Sequence, residues 1–196
     1  MKHIVILASG NGSNFEAIVR KLRVWKCEIE VRALVTDNKK AYAIKRAMKL
    51  KIPTIVLNYR DFKSKDEFNN RLLSELMVLN PDLIVLAGYM RILPPKIVKA
   101  FGNRIVNIHP SLLPAFPGLH AIERAFMSGV KYAGITIHYV DEGIDTGKII
   151  EQRCIRIRDN ETLESLEKRI HRLEHYYYPR IIKRLLTEHG NPHIIK

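Results

Sequence analysis

Asn107 and His109 stand two residues apart at the end of a short apolar run, and no other pair in the sequence is better suited to chemistry. The stretch reads Arg104-Ile105-Val106-Asn107-Ile108-His109-Pro110-Ser111-Leu112-Leu113-Pro114. Ile105, Val106 and Ile108 suit a buried strand. Pro110 cannot donate to a strand ladder, so the strand must stop near His109. Alternation then puts Asn107 and His109 on one face. An amide and an imidazole leaving a strand end together can both donate to a carbonyl oxygen that gains negative charge. A carboxylate beside the imidazole favours its charged, donating form, and Asp145, in the loop from Asp141 to Gly147, is the candidate. Taken singly, each residue also has a plain reading: a structural histidine, a turn-forming aspartate.

These groups need elements to carry them. Lys2 to Ala8 reads as a buried strand, followed by Ser9-Gly10-Asn11-Gly12-Ser13-Asn14 and a helical stripe through Phe15, Ile18, Val19 and Leu22. Glycines let a ligand approach the backbone, and a helix start offers free N–H groups and a positive dipole end. The third glycine of a dinucleotide turn is replaced by Phe15, and the Gly-Lys-Ser/Thr ending of a triphosphate loop is missing. The stretch reads as a cradle for a single phosphate or as a plain tight turn.

Further strands follow at Glu30 to Thr36, Pro53 to Leu57, Leu83 to Ala87 and Ile105 to His109. Helices are predicted at Ala41 to Leu50, from the capping box at Ser64 to Leu79, and after Pro94-Pro95 as far as Gly102-Asn103. Strands alternating with helices point to an α/β fold, a parallel sheet with helices on both faces. Ligands in such sheets gather beyond the carboxyl ends of the strands. Ser9–Asn14, Gly88–Leu93 and Asn107–Pro110 all fall on that rim. A helix to Ser128, strands at Tyr132 to Val140 and Lys148 to Ile157, and a helix from Thr162 to His189 complete the chain. Pro179 should break or kink the last helix. With no repeat and no linker, residues 1–196 read as one domain.

Composition excludes several classes. No apolar run approaches the roughly 18 residues a membrane span requires, and Ile4 to Ala8 is too short for a signal-peptide core. Cys27 and Cys154 form no Cys-x-x-Cys pair, which fits a reducing, cytoplasmic compartment. The net charge of +13 fits a nucleic-acid binder or an enzyme of phosphorylated substrates. The basic residues are spread along the chain, so a solvated basic surface is the favoured reading.

Two other motifs compete with the Asn107–His109 pair. His171-Arg172-Leu173-Glu174-His175 spells the inverted zinc-protease pattern, but a catalytic zinc wants a third protein ligand and none stands out. His109-Pro110-Ser111 invites a serine-hydrolase reading, yet no Gly-x-Ser-x-Gly elbow exists.

The sequence closely resembles the phosphoribosylglycinamide formyltransferase family of folate-dependent enzymes. The likeness rests on residues 9–14, Ala-Gly-Tyr-Met-Arg-Ile-Leu at 87–93, Asn-Ile-His-Pro-Ser-Leu-Leu-Pro at 107–114, Pro-Gly-Leu-His at 117–120 and His-Tyr-Val-Asp-Glu-Gly-Ile-Asp-Thr-Gly at 138–147. The 107–114 piece is shared with other formyl-folate enzymes; the 9–14 turn points to glycinamide ribonucleotide as substrate. The resemblance implies a formyltransferase-like, Rossmann-like open sheet, mostly parallel, with an antiparallel C-terminal hairpin. It implies Asn107, His109 and Asp145 as catalytic residues. Gly12, Ser13, Asn14 and Glu174 would bind glycinamide ribonucleotide, with no metal site. Lys65, Met90, Arg91, Ile92, Leu93, Asn107, Asp141, Glu142, Gly143, Ile144 and Asp145 would bind folate. Lys65 stands where relatives often carry Arg against the folate tail, offering a point charge in place of a fork.

The cosubstrate implied is 10-formyltetrahydrofolate, with no bound cofactor, no membrane, no nucleic acid, and a monomer or weak homodimer. The alternatives are a formyltetrahydrofolate hydrolase, a methionyl-tRNA formyltransferase, whose further C-terminal domain 196 residues leave no room for, and a non-catalytic nucleic-acid-binding domain.

Overall fold

Ile4 and Ile6 point to one side of the first strand and Val5 and Leu7 to the other, and two hydrophobic cores grow from that alternation. The computed structural model describes residues 1–187. In chain order the elements are β1 (Lys2–Leu7), α1 (Ser13–Val24), β2 (Ile29–Thr36), α2 (Tyr42–Leu50), β3 (Thr54–Val56), α3 (Lys65–Leu79) and β4 (Leu83–Leu86). Then come α4 (Pro95–Phe101), β5 (Ile105–His109), α5 (Ala121–Met127), β6 (Tyr132–Tyr139), β7 (Ile149–Arg156) and α6 (Leu163–Thr187).

Among the described residues the strands form a seven-stranded sheet in the order β3-β2-β1-β4-β5-β6-β7. The first five strands run parallel, and β6 and β7 are antiparallel. This is the mostly parallel sheet with a C-terminal hairpin that the sequence implied. Phe15 and Ile18 of α1, Ala43 and Ala47 of α2, and Ile170 and Ile182 of α6 cover one face. Phe68, Leu72 and Leu76 of α3 and Ile97 and Phe101 of α4 cover the other. Such sheets are buried on both sides, which is why β1 and β4 read as unbroken apolar runs.

The last helix differs from expectation. It runs through Pro179 without a break and ends at Thr187 within the described residues; His189 lies outside them. Proline removes an N–H, so the His175 carbonyl loses its usual partner. Buried residues on both sides of the proline, from Leu166 to Leu186, hold the helix to the sheet across that gap. Tyr178 adds a polar pin, its hydroxyl lying 2.9 Å from the Leu86 carbonyl and 3.1 Å from that of Val106. The Arg180 guanidinium donates to the Tyr176 carbonyl at 2.6 Å, beside the interruption.

Candidate active site

The antiparallel pairing of β5 with β6 sets Asn107 opposite His138 and His109 opposite Thr136. Val106, Ile108, Ile135 and Ile137 alternate with these residues and fill the core on the other face. Asn107, His109 and His138 thus share one patch at the carboxyl end of β5. The β6–β7 connection brings in the fourth: Asp145 sits there with φ 56°, a left-handed conformation that aspartate tolerates better than most residues. Its Oδ2 accepts from the Gly118 N–H at 2.8 Å and lies 3.3 Å from His109 Nδ1. Its Oδ1 lies 3.5 Å from Asn107 Nδ2 and 3.7 Å from His138 Nε2.

The partners assign the protons. His109 has an acceptor at each ring nitrogen, the Asp145 carboxylate at Nδ1 and the Phe116 carbonyl 2.9 Å from Nε2. An imidazolium, with two N–H groups, satisfies both. His138 faces the Tyr139 carbonyl with Nδ1 at 2.8 Å, so that nitrogen donates and Nε2 keeps its lone pair. That lone pair accepts from Asn107 Nδ2 at 3.3 Å. Burial pushes His138 below its ordinary value, against the opposing pull of the Tyr139 bond and Asp145, in keeping with a neutral ring. His138 Nε2 and Asp145 Oδ1 lie 3.7 Å apart on one side of the Asn107 amide. Both contacts are long, so a ligand oxygen can compete for the Asn107 amide hydrogens. A buried web on Thr136 steadies the chain after His109: its hydroxyl donates to the Ser111 carbonyl at 2.7 Å and accepts from Leu113 N–H at 3.0 Å.

The glycine turn lies on the same rim. Gly12 has φ 74°, and a Cβ there would come 2.6 Å from the Ala43 Cβ, so only glycine fits. It precedes α1, whose first turn has no side-chain cap. Those N–H groups are the unsatisfied donors of a helix start. Asn14 Nδ2 donates to Glu174 Oε2 at 3.0 Å, while Asn14 Oδ1 is buried without a partner. Glu174, only 4% exposed, also faces His171 Nδ1 at 2.9 Å. That hydrogen bond raises His171 above the usual imidazole range, against the effect of burial. The zinc reading of this segment finds no support in its geometry. His171 and His175 stack with ring centroids 6.4 Å apart, and Glu174 turns inward to Asn14.

One cleft of about 700 Å³ joins these parts. The glycine turn and Glu174 line one end; Met90 to Leu93, Gly143 and Ile144 line the other; Asn107, His109, His138 and Asp145 lie among its walls. Two residues expected at the folate end fall outside the lining. Lys65 opens α3 and is exposed. Glu142 turns away to Lys99, at 3.4 Å. Arg91 contributes to the lining, but its guanidinium pairs with Asp37 at 2.7 Å and lies 3.4 Å above the Tyr59 ring. Sequence reading gave no role to His138, to the Phe116 carbonyl or to the Gly118 N–H. His138 could be found only through the β5–β6 register, and the two backbone groups have no signature in residue type.

The chain matches the formyl transferase family over residues 2–182. It is 48% identical to phosphoribosylglycinamide formyltransferase of Bacillus subtilis, over 95% of each protein. The chain belongs to the phosphoribosylglycinamide formyltransferase family. Solved members of that family share its architecture. The crystal structure of phosphoribosylglycinamide formyltransferase from Bacillus halodurans superposes with a TM-score of 0.92 at 43% identity, covering 99% of this chain and all (100%) of that one. Glycinamide ribonucleotide transformylase 1 from Geobacillus kaustophilus gives 0.91 at 46% identity, covering 95% and 99%. The formyl transferase match takes in the glycine turn, the β5 end, the hairpin and Glu174 together, so the whole cleft lies within the shared region.

Proposed function

We infer that this chain transfers the formyl group of 10-formyltetrahydrofolate to the amine of N1-(5-phosphoribosyl)glycinamide, in de novo synthesis of the purine nucleotide IMP. The observation that carries this reading is the placement of Asp145 within 3.3 Å of His109 and 3.5 Å of Asn107, in a cleft that also contains an uncapped helix start. Formyl-folate is a cosubstrate, and the reaction uses no metal or bound cofactor. The protein works on small molecules; we place it in the cytoplasm as a single domain, monomeric or weakly dimeric, without a nucleic-acid partner.

The ribonucleotide phosphate sits on the N–H groups of Ser13 and Asn14, where the helix dipole favours an anion. Glu174 and the unpartnered Asn14 Oδ1 face the rest of that substrate. Met90 to Leu93, Asp141 and Gly143 to Asp145 wall the folate. Lys65 and Glu142 lie beyond the cleft, so their contact with folate is limited to a tail that extends past it.

The acceptor amine attacks the formyl carbon, forming a C–N bond as the carbonyl electrons move to oxygen. An Asn107 amide N–H and His109 Nε2–H then stabilise the oxyanion. For His109 to do so, the oxyanion must replace the Phe116 carbonyl as its acceptor. The attacking nitrogen gives up one proton and the departing folate N10 takes one, so the balance closes without another reactant. Asp145 orients His109 through Nδ1 and passes that proton through water.

The decisive experiment mixes chain, formyl-folate and glycinamide ribonucleotide and follows tetrahydrofolate. Product only when the amine is present supports transfer. Release of formate without it would identify a hydrolase.

A further inference from the structure

Arg46 of α2 does not line the cleft, yet it grips the underside of the glycine turn. Its Nε donates to the Asn11 carbonyl at 2.9 Å and one Nη to the Asn11 side-chain Oδ1 at 2.9 Å. The other Nη pairs with Glu16, in the first turn of α1. A single planar guanidinium thus ties the turn's backbone, its one exposed side chain and the helix start into one fixed piece. The guanidinium lies 5.0 Å from the Tyr42 ring, which limits its freedom. Two further α2 contacts bear on the same turn: Ala43 N–H donates to the Gly10 carbonyl at 3.1 Å, and the Ala43 methyl occupies the space a side chain at position 12 would need. Arg20 holds the other Glu16 oxygen at 2.7 Å, so Glu16 is fixed from both sides.

An uncapped helix start binds an anion well only if its N–H groups already point at one place. A loop with glycines at 10 and 12 has little stiffness of its own. We propose that Arg46 is a positioning residue for the acceptor substrate, fixing the 10–14 turn in its phosphate-binding shape from outside the cleft. This rests on the reading above that the turn holds the ribonucleotide phosphate. It makes no contact with the folate end, so its influence is confined to one of the two substrates.

The test measures both Michaelis constants and kcat for the unaltered chain, Arg46→Met and Arg46→Lys, with melting temperatures as a check on folding. Loss of charged hydrogen bonds of this kind predicts a KM for glycinamide ribonucleotide about tenfold higher in both variants. The KM for 10-formyltetrahydrofolate and kcat at saturation stay within about twofold, because neither depends on the turn's stiffness once substrate is bound. Lysine keeps the charge but cannot span Asn11 and Glu16 with one plane, so it does not restore binding. Unchanged acceptor KM, an equal rise in both KM values, or full recovery in Arg46→Lys would each overturn the proposal. Failure of the unaltered chain to formylate glycinamide ribonucleotide overturns the functional reading itself, and this inference with it.

Discussion

The two ends of the cleft are built on different physical terms. At the glycine-turn end, the polar groups are uncapped backbone N–H donors and a carboxylate that is almost fully buried and held by hydrogen bonds. Asn14 meets Glu174 at 3.0 Å, and Glu174 meets His171 at 2.9 Å. At the other end the walls are irregular loops carrying exposed apolar side chains, with Met90 at 65% and Ile144 at 54% exposure. The first end suits a compact charged group, recognised by fixed donors and acceptors. The second suits a flat ring system, held by removal of apolar area from water. Substitutions should therefore act sharply and on one substrate at the first end, and by degrees at the second. Between them, Asn107, His109 and Asp145 would face the transferred formyl group and should affect turnover.

The largest effect is expected in that middle. His109→Ala removes an oxyanion donor and should lower kcat by about 100- to 1000-fold, with Asp145→Ala in the same range. Both KM values should change far less, and melting curves should show folded protein. Near-normal kcat in either variant would remove that residue from the chemistry. Next comes Glu174→Gln, which takes a buried charge from the glycine-turn end. The KM for glycinamide ribonucleotide should rise by about tenfold, with the folate KM unmoved, because hydrogen bonds to a charged group are worth more than neutral ones. If both constants rise together, the two ends are not independent. Ile144→Ala tests the other end: losing part of one apolar side chain should raise the folate KM by only about fivefold.

The smallest effect concerns stability. Glu174 raises His171 above its ordinary 6.5, so their pairing stabilises the fold in full below about pH 6.5. The contribution fades as the pH climbs through the raised value. The melting-temperature gap between the unaltered chain and His171→Gln should accordingly narrow from acid toward alkaline pH. A gap that widened would show that His171 is neutral in the folded chain.

Much of this contrast could be read from residue types. The period-two run ending at His109 gave the strand and the shared face of Asn107 and His109, because alternation is a local property. The glycine turn gave the helix start for the same reason. Asp145 was harder: nothing in its spacing ties it to residues far earlier in the chain, and only its tight loop and the resemblance to formyltransferases pointed to it. His138 stayed hidden because its role depends on which β6 residue faces Asn107, and strand register is set by tertiary pairing. Arg46 stayed hidden because an exposed-looking helical arginine has no sequence mark that separates a clamp from a solvated charge. Pro179 misled because local geometry predicts a break where long-range burial of α6 overrides it.

If Asn107, His109 and Asp145 act as one unit, the most direct measurement is the kcat of His109→Ala, Asp145→Ala and the variant carrying both. Residues that work through each other lose their effect once either is gone, so the double variant should be no slower than the worse single one, within about threefold. Losses that multiply across the pair would mean the imidazole and the carboxylate act separately, and the shared centre described for this cleft would not exist.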